Sequence, residues 1–122
     1  MSLYNYTDGY IHAATATVAG GASLSGEIDL KGCTMYGLIM PVAWTAANLT
    51  FQVSNVSGGT FQDLYDDVGV EVTVTAAASR SIALDFAALK MAPWRYIKIR
   101  SGTSGSPVAQ GAERAITIVG KV

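Results

Sequence analysis

Cysteine is all but missing from this chain: Cys33 stands alone among 122 residues, so neither an internal disulfide nor a cysteine-clustered metal site can form. Stability must come from packing. Charge is scarce too, at 14% Asp, Glu, Lys and Arg against the roughly 25% of an ordinary soluble domain. The eight Lys and Arg are scattered and the net charge is -1, so no basic stripe exists to neutralise a phosphate backbone. Nucleic acid is therefore not an expected partner. No apolar run approaches the roughly 18 residues of a membrane span, which argues against a membrane partner. The opening Met1-Ser2-Leu3-Tyr4-Asn5-Tyr6 has neither the basic flank nor the apolar core of a signal peptide, so synthesis and retention on the cytoplasmic side is expected. In that setting the Asn-X-Ser/Thr triplets at Asn5, Asn48 and Asn55 are chance matches to the glycosylation pattern. Paired catalytic carboxylates, a glycine-rich phosphate cradle before a helix, and His/Cys metal spacing are also lacking, and no cofactor is implied.

What the chain does have is apolar residues, 50% of the total, taking turns with polar ones. Leu49, Phe51 and Val53 alternate with Thr50, Gln52 and Ser54, and Val68, Val70, Val72 and Val74 alternate with Gly69, Glu71 and Thr73. Successive side chains leave opposite faces of a pleated strand, so this period of two is the mark of half-buried antiparallel strands. Further strands are predicted at residues 12–18, 28–30, 35–40, 81–86, 95–101 and 115–119. Met35 to Met40 is nearly all apolar, as in a strand covered on both faces or lying at a sheet centre. Ala87 to Lys90 has room for one helical turn, too short to stand alone. Residues 1–11 read as an N-terminal arm carrying Tyr4, Tyr6 and Tyr10, and residues 12–122 as one domain. The expected fold is all-β, a β-sandwich of jelly-roll or Greek-key type with eight to nine antiparallel strands.

Three stretches sharpen that expectation: Leu49-Thr50-Phe51-Gln52-Val53-Ser54, then Gly58 to Asp66 with its Gly-Gly-Thr-Phe-Gln-Asp-Leu-Tyr-Asp run, and Arg95-Tyr96-Ile97-Lys98-Ile99-Arg100. Their order resembles the strand pattern of galactose-binding-like jelly rolls. With Ser25-Gly26-Glu27-Ile28-Asp29-Leu30 and the closing Arg100-Ser101-Gly102-Thr103-Ser104-Gly105, the chain is similar to small tailed-phage head proteins of the decoration or head-spike-base type. That resemblance implies a non-enzymatic virion protein. It would form a homo-oligomer, a trimer or a pentamer, and attach to the major capsid protein or another virion protein.

Candidate contact residues follow from the same reading. Tyr4, Tyr6 and Tyr10 on the arm, with Tyr96, Lys98 and Arg100 alternating outward from the strand at 95–101, are the candidate interface. Trp44 and Trp94, in loops near Pro41 and Pro93, and Tyr65 are candidate glycan or interface contacts, since aromatic rings serve as stacking platforms. They carry the alternative function, a carbohydrate-binding module attaching to a glycan surface. Against it, secreted jelly-roll lectins usually have a disulfide pair and a dedicated cleft, and a shared fold does not carry a site with it.

Two catalytic or metal-binding patterns are weaker. His12, Asp29 or Asp63, and Ser104 occur in the chain order of a chymotrypsin-like triad, but 122 residues cannot build two barrels with a cleft between them. A flexible Gly/Ser loop accounts for residues 102–112 more simply. Asp63, Asp66 and Asp67 offer oxygen ligands for calcium, yet fall short of the six or more that ion takes. A solvated acidic turn is the plainer account.

Overall fold

Alternation of apolar and polar residues builds eight strands among the residues described by the computed structural model, which are 11–85, 91 and 93–121. They are β1 (Ile11–Val18), β2 (Ile28–Asp29), β3 (Thr34–Ile39), β4 (Leu49–Ser54), β5 (Gln62–Asp63), β6 (Ser81–Ala83), β7 (Tyr96–Ser101) and β8 (Arg114–Lys121). The arm tyrosines Tyr4, Tyr6 and Tyr10, Phe86 and the expected helical turn at 87–90 lie outside the described residues.

Two four-stranded sheets result, with the orders β1-β8-β3-β6 and β2-β7-β4-β5, hereafter sheet one and sheet two. Every pairing is antiparallel. The first strand pairs with the last, the second with the seventh, the third with the sixth and the fourth with the fifth. This is the order of a long hairpin folded over on itself, and it resolves the two expected topologies in favour of the jelly roll.

Each long strand turns one set of alternating side chains inward. Ala16 and Val18 on β1, Ile116 and Ile118 on β8, Leu49 and Phe51 on β4, and Ile97 and Ile99 on β7 are all essentially inaccessible to solvent. Register seats them opposite one another: Ala16 faces Ile116 across sheet one, and Phe51 faces Ile99 across sheet two. Strand β3 departs from strict alternation through a bulge between Met35 and Gly37. The extra residue puts both Met35 and Leu38 on the core side and leaves Tyr36 and Ile39 open to solvent. Of the two accounts of this apolar run, the sheet-centre one holds, since β3 lies between β8 and β6, with Tyr36 and Ile39 exposed on its outer side.

The valine segment corrects the sequence expectation. Val68 to Val74 forms no strand, only isolated bridges between Tyr65 and Glu71 and between Leu49 and Val74. The cause is Asp66, whose Oδ1 accepts hydrogen bonds from the backbone N–H of Val68 (3.0 Å) and Val70 (2.9 Å) and so offers the backbone a turn in place of a ladder. Gly69 completes that turn at a φ of 83°. Val68 and Val70 are consequently exposed, while Val72 and Val74 still reach the core.

Candidate functional site

The sandwich has two outer faces, and they differ in chemistry. Sheet two is charged, and its charges are spent within the chain. Tyr96, Lys98 and Arg100 do leave the core side of β7, as their alternation with Ile97 and Ile99 requires, but Arg100 is only 6% exposed. Its guanidinium pairs with Asp63 on β5 and with Glu71 Oε2 at 3.2 Å, and Nη1 also donates to Thr50 Oγ1 at 3.4 Å. Thr50 in turn donates to the Gly102 carbonyl at 2.7 Å. The Glu71 carboxylate accepts the Ser104 backbone N–H, tying the loop at 64–80 to the one at 102–113 over the sheet. Arg100 is thus an internal rivet, and its place in an outward stripe open to a partner is corrected: Asp63 on β5 and Glu71 on the loop that follows cover it.

The neighbouring charges are similarly engaged. Lys98 Nζ lies 4.5 Å from the Phe61 ring centroid, and Arg95 sits over Tyr96 at 5.3 Å while pairing with Asp29 at 3.0 Å. The Arg100 guanidinium beside Asp63 holds its carboxyl below the usual carboxylate range, with Gln52 adding a weaker hydrogen bond against the opposing effect of burial. Arg95 does the same for Asp29, helped by the Lys31 backbone N–H. The Gly58 backbone N–H and then the Ser57 hydroxyl lower the pKa of Glu27.

These contacts settle where the catalytic and metal-binding candidates lie. Asp29 and Asp63 are each held by an arginine, and Ser104 Oγ lies 3.2 Å from the Tyr65 hydroxyl. His12 belongs to β1, in the other sheet, opposite Gly120. Of the three grouped aspartates, Asp63 is turned to Arg100 and Asp66 to its own turn amides, so the carboxylates are not gathered around one point.

The two tryptophans sit at opposite ends of the sandwich. Trp44 belongs to the β3–β4 loop, packs on the core and donates its indole N–H to the Ala47 carbonyl at 3.1 Å. That loop is anchored by Gln110, 1% exposed, which accepts the Thr45 N–H (2.8 Å) and donates to the Thr45 carbonyl (3.0 Å) and Ser101 Oγ (2.7 Å). Trp94 precedes β7 at the other end, where Asn55 donates to the Pro93 carbonyl and accepts from the Arg95 N–H. Trp94 and Tyr65 come together in lining an open groove of about 390 Å³ along edge strand β5, with Thr60, Gln62 and Asn55 between them. Trp44 does not join it.

Sheet one is the opposite of sheet two. Its outer face consists of Ala13, Thr15 and Thr17 on β1, Ala115, Thr117 and Val119 on β8, Tyr36, Gly37 and Ile39 on β3, and Ser81 and Ala83 on β6. Register lays these out in rows: Thr15, Thr117, Ile39 and Ser81 make one, and Ala13, Val119, Gly37 and Ala83 the next. None of the eleven carries a charge. Tyr36 is 40% and Ile39 45% exposed, and a shallow apolar groove runs beside them between β3 and β6. Charge returns only at the margins, with Arg80 before β6, Asp85 after it, and Glu113 and Lys121 at the two ends of β8.

Sequence reasoning missed Glu71, Gln110 and the outer face of sheet one. Glu71 was hidden inside the apparent valine strand, and Gln110 inside a loop that reads as flexible. The face was readable only in part, as a lack of Lys, Asp and Glu within β1, β3 and the middle of β8.

The class these observations define is an eight-stranded jelly-roll sandwich with one self-satisfied polar face and one face uncharged at its described outward positions. No protein-family model matches the chain, and no curated protein matches it in sequence.

Proposed function

We propose that this is a non-enzymatic structural protein that works by surface contact: it assembles with copies of itself and attaches to a phage capsid, as the resemblance to small head-decoration proteins implies. The observation supporting this reading is the uncharged outer face of sheet one. A solvated sheet face normally carries charged side chains at its outward positions, whereas the centres of protein interfaces are depleted of them and ringed by a polar rim. Eleven uncharged positions bordered by Arg80, Asp85, Glu113 and Lys121 follow the interface pattern. Purified protein mixed with heads assembled from the capsid protein of the same genome should co-sediment with them. Protein left wholly in the supernatant, and monomeric, would count against the proposal.

A second reading, a glycan-binding module, is favoured by the groove that Trp94 and Tyr65 share. An aromatic platform beside amide and hydroxyl groups is suited to a sugar ring, one face apolar and its rim polar. Under this reading a glycan array gives reproducible binding that Trp94→Ala abolishes and Trp44→Ala leaves intact, because only Trp94 lines the groove. Silence on the array removes it.

A further inference from the structure

We infer that the outer face of sheet one docks on the same face of a second copy of this chain, related by a two-fold axis running across the strands near Thr117. The inference rests on the structural-contact reading above and names its surface and symmetry.

Three observations point to a second copy. First, the face is its own chemical complement. An isologous contact brings the same patch against itself, which punishes any charge near the axis by setting it beside its own duplicate. Here the positions nearest the axis are Thr117 with its cross-strand neighbours Thr15 and Ile39, all uncharged. Second, the face is small-grained. Apart from Tyr36 and Ile39 on β3, the outward positions are Ala, Thr, Val, Ser and Gly, a relief low enough over β1, β8 and β6 to let two sheets approach to the roughly 10 Å of aligned sheet packing.

Third, the charges at the ends of β8 are complementary under this symmetry and no other simple one. Glu113 and Lys121 lie four residues on either side of Thr117, share its parity with Ala115 and Val119, and are exposed. Neither makes an ion pair among the described residues. An axis across the strands reverses the second copy's β8 over the first, bringing Glu113 of each copy to Lys121 of the other, at both ends at once. An axis along the strands would set Glu113 against Glu113 and Lys121 against Lys121. The charge pattern therefore selects the first arrangement.

Area sets the strength. Four strands about 4.8 Å apart, over six steps of about 3.3 Å, give a patch of about 400 Å². A standard interface buries about 800 Å² on each side. The contact is accordingly a weak one, visible as a monomer–dimer equilibrium that shifts with concentration, and reinforced where copies are held close together on a particle.

Sedimentation of the full chain over a concentration series tests this. Wild type should show a reversible dimer, and Thr117→Arg should abolish it by placing two guanidiniums at the axis, with the circular dichroism spectrum unchanged. Glu113→Lys and Lys121→Glu should each weaken dimerisation about fivefold at low salt, since symmetry doubles the effect of one exposed pair, and the double swap should restore it. Both positions are exposed, so these variants keep the test open if Thr117→Arg fails to fold. A dimer or larger oligomer indifferent to the swaps overturns the pairing while leaving the structural reading intact. A monomer that still binds heads does likewise. A monomer that binds no heads defeats both.

Discussion

Arg100→Ala should destabilise the protein by about 3 kcal/mol in urea unfolding, out of proportion to a residue on the outer face of a sheet. The reason is what remains behind. Asp63 and Glu71 both turn toward the guanidinium, and Glu71 is 13% exposed at its side chain, so removing Arg100 strands one carboxylate near-buried and leaves two facing each other. Breaking a buried pair from one side costs about 3–5 kcal/mol, and the 34% exposure of Asp63 places this case at the lower end. The loss should depend on pH with a definite sign. Asp63 has a folded pKa below its ordinary 3.8, so its pairing contributes fully above that value and fades as pH falls through the lowered one. The gap between wild type and Arg100→Ala should therefore narrow on acidification, as the Asp63 pairing is lost from the wild type. An equal gap at pH 7 and pH 3 would show that Arg100 acts through packing of its stem alone.

Phe51→Ala should cost more, about 4 kcal/mol, and lower the thermal midpoint by about 15 °C. Phe51 is completely buried in β4, paired with Ile99 across sheet two, and belongs to the one core cluster that also takes in Ala16, Ile116 and Ile118 of sheet one. The cavity left by a benzyl group at the centre of a close-packed core cannot collapse without moving two sheets. Since a domain of this size is stable by only about 5–15 kcal/mol, the loss takes a large fraction of the total. Phe51→Leu, which keeps most of the volume, should cost about 1 kcal/mol. A Phe51→Ala variant as stable as wild type would mean that the two sheets do not meet at this residue.

Much of the architecture was legible because alternation is a local property. The strands at 49–54, 96–101 and 114–121 follow from residue types two apart, and so do their core faces. Val68 to Val74 misled because alternation is necessary for a strand but not sufficient. One carboxylate at Asp66 outcompeted the ladder, and a turn formed over the sheet instead. Arg100 misled for a related reason: its direction away from the core was readable, but not the return of Asp63 and Glu71 across 37 and 29 positions to cover it. The convergence of Tyr65 and Trp94 on one groove, with Trp44 at the far end, is likewise a matter of loop placement.

By itself, then, the amino-acid order determined that this chain is a two-layered β-sandwich without a disulfide, because a repeat of two commits every other side chain to one side of a pleat. Which strand pairs with which, and hence the jelly-roll order, was decided by long-range register. So was the difference between the two outer faces: loops carrying Glu71 and Ser104 reach over Arg100 on sheet two, while the outward positions of sheet one carry no charge. The physical reason is that strand patterning acts between neighbours in sequence, whereas covering a face depends on distant segments finding partners there. Arg100 supplied such a partner on sheet two, whereas the rows around Thr117 on sheet one carry no charge.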